Sequence, residues 1–181
     1  MVSNPQIEKF FKEEIRHYQA KSFSFAFVQQ HHLSLQELLT YSFHTDDQIA
    51  FRAAWLLEHV MLKEHQLLST IYDDFIGLLP QQTNWSAIRS YTKLLMIATD
   101  KKTAKKSTPT QEEIIIETVF SWMIDPKCPV ATRVNCMDVL YNLSSKHPWI
   151  KDELAAQIQY HLRNPSAALA SRGNRVLKRI L

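Results

Sequence analysis

The sequence predicts an all-α protein built as a right-handed α-α superhelix of about four helix pairs, preceded by an N-terminal helical cap. Three observations carry that expectation. Glycine occurs only twice in 181 residues, at Gly77 and Gly173, where average usage would supply about a dozen. So few glycines leave little chemistry for tight hairpins. Apolar residues recur three and four positions apart through most of the chain, as on one face of a helix. An Ala-x-Arg element recurs at 50–52, 87–89, 131–133 and 170–172, with arginine spacings of 37, 44 and 39 residues. A period of this size is the mark of stacked helix pairs.

Residues 1–32 stand outside the repeat and are expected to form one or two helices, 5–19 and 22–32, covering the first repeat. An end cap is needed because an uncovered solenoid end exposes apolar surface. The opening MVSNPQIEKFFKEEIRHYQ mixes acids and bases without an apolar core region and does not read as a signal peptide. The first pair follows, with SLQELLTYSF at 34–43 leading into the helix of Arg52. Asp46 or Asp47 supplies that helix with an N-cap oxygen.

In the second pair, QLLSTIYDDFIGLL at 66–79 precedes the helix of Arg89, which Asn84 caps. The third opens with TQEEIIIETVFSWMID at 110–125, where Thr110 and Glu113 read as a capping box. Arg133 then follows Pro129. The fourth joins WIKDELAAQIQYHL at 149–162 to the helix of Arg172, behind Pro165. Both prolines suit a first helical turn, where a missing N–H costs nothing. The 44-residue spacing reflects DKKTAKKSTPT at 100–110, a polar insertion in a connecting loop. The whole chain is expected to form one domain.

In this pattern the chain resembles the HEAT repeat family across residues 33–181. Repeats of that family are antiparallel helix pairs, whose second helix begins with a small or apolar residue and an arginine, often after an aspartate. The aspartate is present before Arg52 (Asp46, Asp47) and before Arg133 (Asp125), and absent near Arg172. The resemblance implies a concave surface that binds a protein partner, without catalysis. Arg52, Arg89, Arg133 and Arg172 then read as a structural ladder, each bridging an acid or backbone carbonyls.

The alternative is nucleic acid. Net charge is +3, distributed as −4 over residues 1–85 and +7 over residues 86–181. Lys101, Lys102, Lys105 and Lys106 in the insertion, with Arg175, Lys178 and Arg179 near the end, are candidate anion or phosphate contacts. Cations near a helix C-terminus also suit the macrodipole. A resemblance to the HEAT-like DNA alkylation-repair glycosylases implies aromatic stacking on a damaged base. Trp122, three residues before Asp125, is the candidate pair for that role, although it also falls on the apolar stripe of Ile115, Val119 and Met123.

No catalytic set is legible. Two glycines cannot form a phosphate loop, and the eight histidines form no metal-binding spacing, so neither cofactor nor metal is expected. Cys128 and Cys136 lack CxxC spacing, which with a chain of this composition predicts free thiols and a cytoplasmic setting. No segment approaches the roughly 20 apolar residues of a membrane span, so no membrane partner is expected.

Overall fold

Ten α-helices, interrupted by short 3-10 and π turns, make up the computed structural model, which describes residues 4–103 and 107–181. No strand occurs among the described residues. The chain divides into two compact units, Met1–Leu94 and Leu95–Leu181.

In the first unit, α1 (Pro5–Lys9) starts at Asn4, whose Oδ1 accepts the Gln6 N–H at 3.0 Å. The expected long helix over 5–19 does not continue as an α-helix. It passes into a π turn at Phe10–Glu14 and a 3-10 turn at Ile15–His17. The wider turn sends the Ile15 N–H to the Phe10 carbonyl, so the Phe11 carbonyl loses its usual i+4 donor. The second expected helix is likewise shorter: a 3-10 turn at Ala20–Ser22, then α2 (Phe25–Gln30), capped by Ser24. α2 ends in a Schellman arrangement, with the His32 N–H on the Gln29 carbonyl and the Leu33 N–H on the Val28 carbonyl, both at 3.0 Å. The αL residue is His32, with φ 53°. Glycine usually fills that position, and this chain has almost none to place there.

α3 (Leu35–Tyr41) opens with a reciprocal capping box between Ser34 and Glu37. It packs on α4 (Asp47–Lys63). Asp46 caps α4, its Oδ1 accepting the Gln48 and Ile49 N–H groups at 2.9 and 3.3 Å. The stretch at 66–79 is broken into a 3-10 segment, His65–Thr70, then α5 (Tyr72–Leu78) and a 3-10 turn at Leu79–Gln81. The Ser69 and Thr70 hydroxyls each donate to the carbonyl three residues back, at 2.8 Å. Such bonds compete with the α-helical ladder. α6 (Trp85–Thr99) is capped by Asn84, whose Oδ1 accepts the Ser86 and Ala87 N–H groups. The Asn84 amide also donates to Asp47 Oδ1 at 3.0 Å, joining the starts of α4 and α6. Phe11, Ile15, Leu38, Leu39, Ile49, Leu56 and Phe75 are wholly buried in this unit.

The second unit holds α7 (Pro109–Ile124), α8 (Val130–Leu143), α9 (Ile150–His161) and α10 (Ala167–Ile180). α8 packs against α7, α9 and α10. The capping box of α7 lies two residues before the expected one and uses Thr108 and Gln111 rather than Thr110 and Glu113. Pro109 explains the shift: its fixed φ suits N1, so the cap must be the residue before it. Pro129 is itself the N-cap of α8 and Pro165 precedes Ser166, the cap of α10, so neither proline enters a first turn. Gly173 lets α10 approach α9 closely, since a Cβ there would lie 3.0 Å from Ile158 Cγ2.

Glu112 ties α7 to the turn after α8. Its carboxylate meets the Lys146 ammonium and, at 2.7 Å, His147 Nε2. Burial raises the Glu112 pKa, but the hydrogen bonds from Lys146 and His147 outweigh it and hold the group below its ordinary 4.5. A depressed folded-state pKa contributes stability above the unfolded value and loses it as pH falls through the folded one. Stability is therefore expected to fall as pH drops below the ordinary value of 4.5 and through the lower folded-state value. In Glu112→Gln the fall should be shallower, as read from denaturant midpoints across a pH series.

Candidate functional site

The four recurrent arginines lie within the first two turns of α4, α6, α8 and α10, yet they do not share one role. Arg52 Nη1 donates to the Phe11 and Lys12 carbonyls at 2.6 and 2.7 Å. It therefore reaches from α4 to the carbonyls disturbed by the π turn. Arg133 Nε and Nη2 donate to the Met123 and Asp125 carbonyls at 3.0 and 2.8 Å, filling the open end of α7. Arg172 on α10 pairs with the Asp138 carboxylate on α8, and Arg175 lies 3.6 Å from its other oxygen. Asp46 and Asp47 serve as helix cap and as partners of Lys12 and Asn84, not of Arg52.

Arg89 differs. It is exposed, and no hydrogen bond or ion pair engages its side chain among the described residues. The turn before α6 closes without it: the Gln82 N–H takes the Leu79 carbonyl at 3.1 Å. The Gln82 side chain meanwhile spans the Ser42 carbonyl and the Asn84 N–H at 2.9 and 3.0 Å.

Arg89 lines a cavity of about 410 Å³ between α4 and α6, together with Phe51, Trp55, Ser86, Ser90 and Lys93. That volume falls in the range of ligand pockets. Phe51 is 38% exposed and stacks on Trp55 with centroids 6.1 Å apart. His59 packs edge-on to Trp55 at 5.4 Å, and burial lowers its pKa, keeping it neutral near pH 7. Glu58 is buried on the cavity wall and neutralised by the Lys93 ammonium. The net charge facing the cavity is thus that of Arg89 alone.

Ser90 adds a polar group. The residue after each recurrent arginine is buried, being Ala53, Ser90, Val134 and Gly173. Only in α6 does that position carry a hydroxyl. Ser90 is 2% exposed, lines the cavity and has no hydrogen-bond partner among the described residues.

The lysine loop and the C-terminal basic segment are brought together in part. Lys101, Lys102 and Arg179 line a second cavity, of about 510 Å³, with Lys151. The Arg179 guanidinium stands 5.6 Å above the Tyr141 ring. Lys151 belongs to the first turn of α9, and no spacing in the sequence connects it to the other three. Arg175 is committed to Asp138, Lys178 is exposed, and Lys105 and Lys106 lie outside the described residues.

Of the tryptophans, Trp122 is buried at 7% exposure and offers no open face to a base. Asp125 beside it ends α7, its Oδ1 accepting the Lys127 N–H at 2.7 Å. Trp149 is exposed and stacked on Phe120 at 6.0 Å, beside Glu113 and Glu117. Trp85 begins α6 and is partly buried.

Cys128 and Cys136 are free and buried. Burial pushes Cys128 up to about 11 and Cys136 well above the ordinary thiol value, which makes both poor nucleophiles. No helix among the described residues is long and apolar enough to cross a membrane.

These features define a protein of paired α-helices held by side chains that close helix ends. The family model of the HEAT repeat domain matches residues 8–180, and the chain belongs to that family. The match takes in most of the segment before residue 33 as well as the four arginine helices. No curated protein and no solved structure matches the chain.

The contrast among the arginines is measurable. Arg52→Met and Arg133→Met should each lower stability by about 1–3 kcal/mol, the cost of carbonyls left without donors. Arg89→Met should stay within about 0.5 kcal/mol of the parent, as for surface changes that break no contact. Urea unfolding of the three variants reads the difference, with an unchanged m-value as the control.

Proposed function

We propose that this chain is a non-catalytic interaction module that binds a protein partner on the face presented by its second helices. HEAT repeats generally mediate protein interactions, and stacked helix pairs use their concave side for this purpose. The reading therefore takes the four pairs as a right-handed superhelix, working in the cytoplasm, with α4 and α6 on the concave side. The single observation that carries it is the exposed Phe51–Trp55 stack beside an unpartnered Arg89. Aromatic residues and arginine are the side chains most enriched at the centres of protein interfaces.

A photo-crosslinking amino acid at Phe51, compared with one at the exposed Gln36 on α3, tests this in cells. Polypeptide adducts are expected from position 51 well above those from position 36. Equal yields at both positions, or none from position 51, would sink the reading.

A second reading, nucleic-acid binding, draws support from the meeting of Lys101, Lys102, Lys151 and Arg179 around one cavity. Four phosphate contacts predict a slope of roughly −3 to −4 in log K against log salt for duplex DNA. Titration across a salt series measures it. Absence of binding at low salt removes this reading.

A further inference from the structure

We propose that the cavity between α4 and α6 receives the carboxylate of an acidic side chain on a partner polypeptide, while the Phe51–Trp55 stack receives the apolar residue beside it. This inference rests on the protein-binding reading above and names the chemistry that its face would recognise.

The charge of the site selects the ligand. Four ionisable groups face the cavity: Glu58, His59, Arg89 and Lys93. Glu58 and Lys93 neutralise each other, and His59 is edge-on to Trp55 within the aromatic cluster. One uncommitted guanidinium remains, matched by one carboxylate, which Arg binds through two parallel N–H donors. A phosphate carries more charge than the cavity balances, and a nucleic-acid backbone would add further phosphates with no cation here to meet them.

Two further features point to a ligand rather than to an idle surface arginine. Ser90 is almost wholly buried, lines the same cavity and lacks a partner, although the equivalent positions Ala53, Val134 and Gly173 dispense with a hydroxyl. Ser86, one helical turn earlier on α6 and also in the lining, gives a second hydroxyl donor on the same face. The two hydroxyls and the guanidinium together satisfy a carboxylate, which only accepts hydrogen bonds. The aromatic pair forms an adjoining wall, and an aromatic or aliphatic neighbour of the acid would cover it.

The test is a titration of the ¹⁵N-labelled full chain with two blocked dipeptides, acetyl-Phe-Glu-amide and acetyl-Phe-Gln-amide. It follows the Arg89 Nε–H and Trp55 indole resonances. Phenyl phosphate and a single-stranded oligothymidine are the comparison ligands. The expected result is saturable shifts of both resonances by the Glu dipeptide and at least tenfold weaker binding of the Gln dipeptide. Arg89→Gln should reduce the Glu dipeptide to the level of the Gln one. Ser90→Ala should weaken it by a smaller factor, with the thermal midpoint of the parent retained.

Equal binding of the two dipeptides, unmoved resonances, or tighter binding of phenyl phosphate or oligothymidine overturns the proposal. The crosslink from position 51 separates the two levels of inference. If the crosslink forms while the Glu dipeptide fails to bind the parent protein, the carboxylate site is wrong and the protein-binding face stands. If the crosslink is itself absent, both fall.

Discussion

Backbone carbonyls at the ends of helices have no donors within their own helix, and this constraint sets the roles of Arg52 and Arg133. Arg52 closes the carbonyls of Phe11 and Lys12. It thereby binds the N-terminal segment to α4, where the π turn had diverted the ordinary ladder. Arg133 closes those of Met123 and Asp125 and fixes the turn from α7 into α8. Both sets of bonds run from the first two turns of a helix to an earlier segment and hold that segment against it. The apolar residues could pack in several arrangements, whereas a guanidinium fork accepts few.

A second set of contacts runs between successive second helices. Glu58 on α4 holds Lys93 on α6, and Asp138 on α8 holds Arg172 and Arg175 on α10. In each unit an acid on the earlier helix meets a base on the later one. Buried or half-buried pairs of this kind add little net stability against an apolar alternative, but removing one partner is costly. Their effect here is to fix which helix lies beside which, and thus which side chains share the face carrying Phe51, Trp55 and Arg89.

Much of the fold was legible because helical periodicity survives in a single sequence. The recurrence of Ala-x-Arg located α4, α6, α8 and α10, and the polar run at 100–110 located the long connection. Details of local hydrogen bonding were not legible. Thr110 and Glu113 satisfy the capping-box pattern, yet Pro109 at N1 moves the box to Thr108 and Gln111. Residues 66–79 have a helical apolar stripe, yet the Ser69 and Thr70 hydroxyls take carbonyls that an unbroken helix needs. The sites were harder still. Ser90 after Arg89 departs from Ala53, Val134 and Gly173, but the closing of the preceding turn by Gln82 is visible only in the fold. Lys151 joins Lys101, Lys102 and Arg179 only through tertiary packing.

The hydroxyl of Ser90 has a consequence for how this architecture can specialise. In a repeat array each unit interacts chiefly with its neighbours, so stability is close to a sum of local contributions. The Ser90 hydroxyl opens onto the cavity between α4 and α6, and a polar group there alters one copy of the array and leaves the others as they are. Redundancy among the copies frees one copy from its architectural duty. Three arginine helices hold the scaffold together, and the fourth, released from that task, is left with its guanidinium and hydroxyl facing open space.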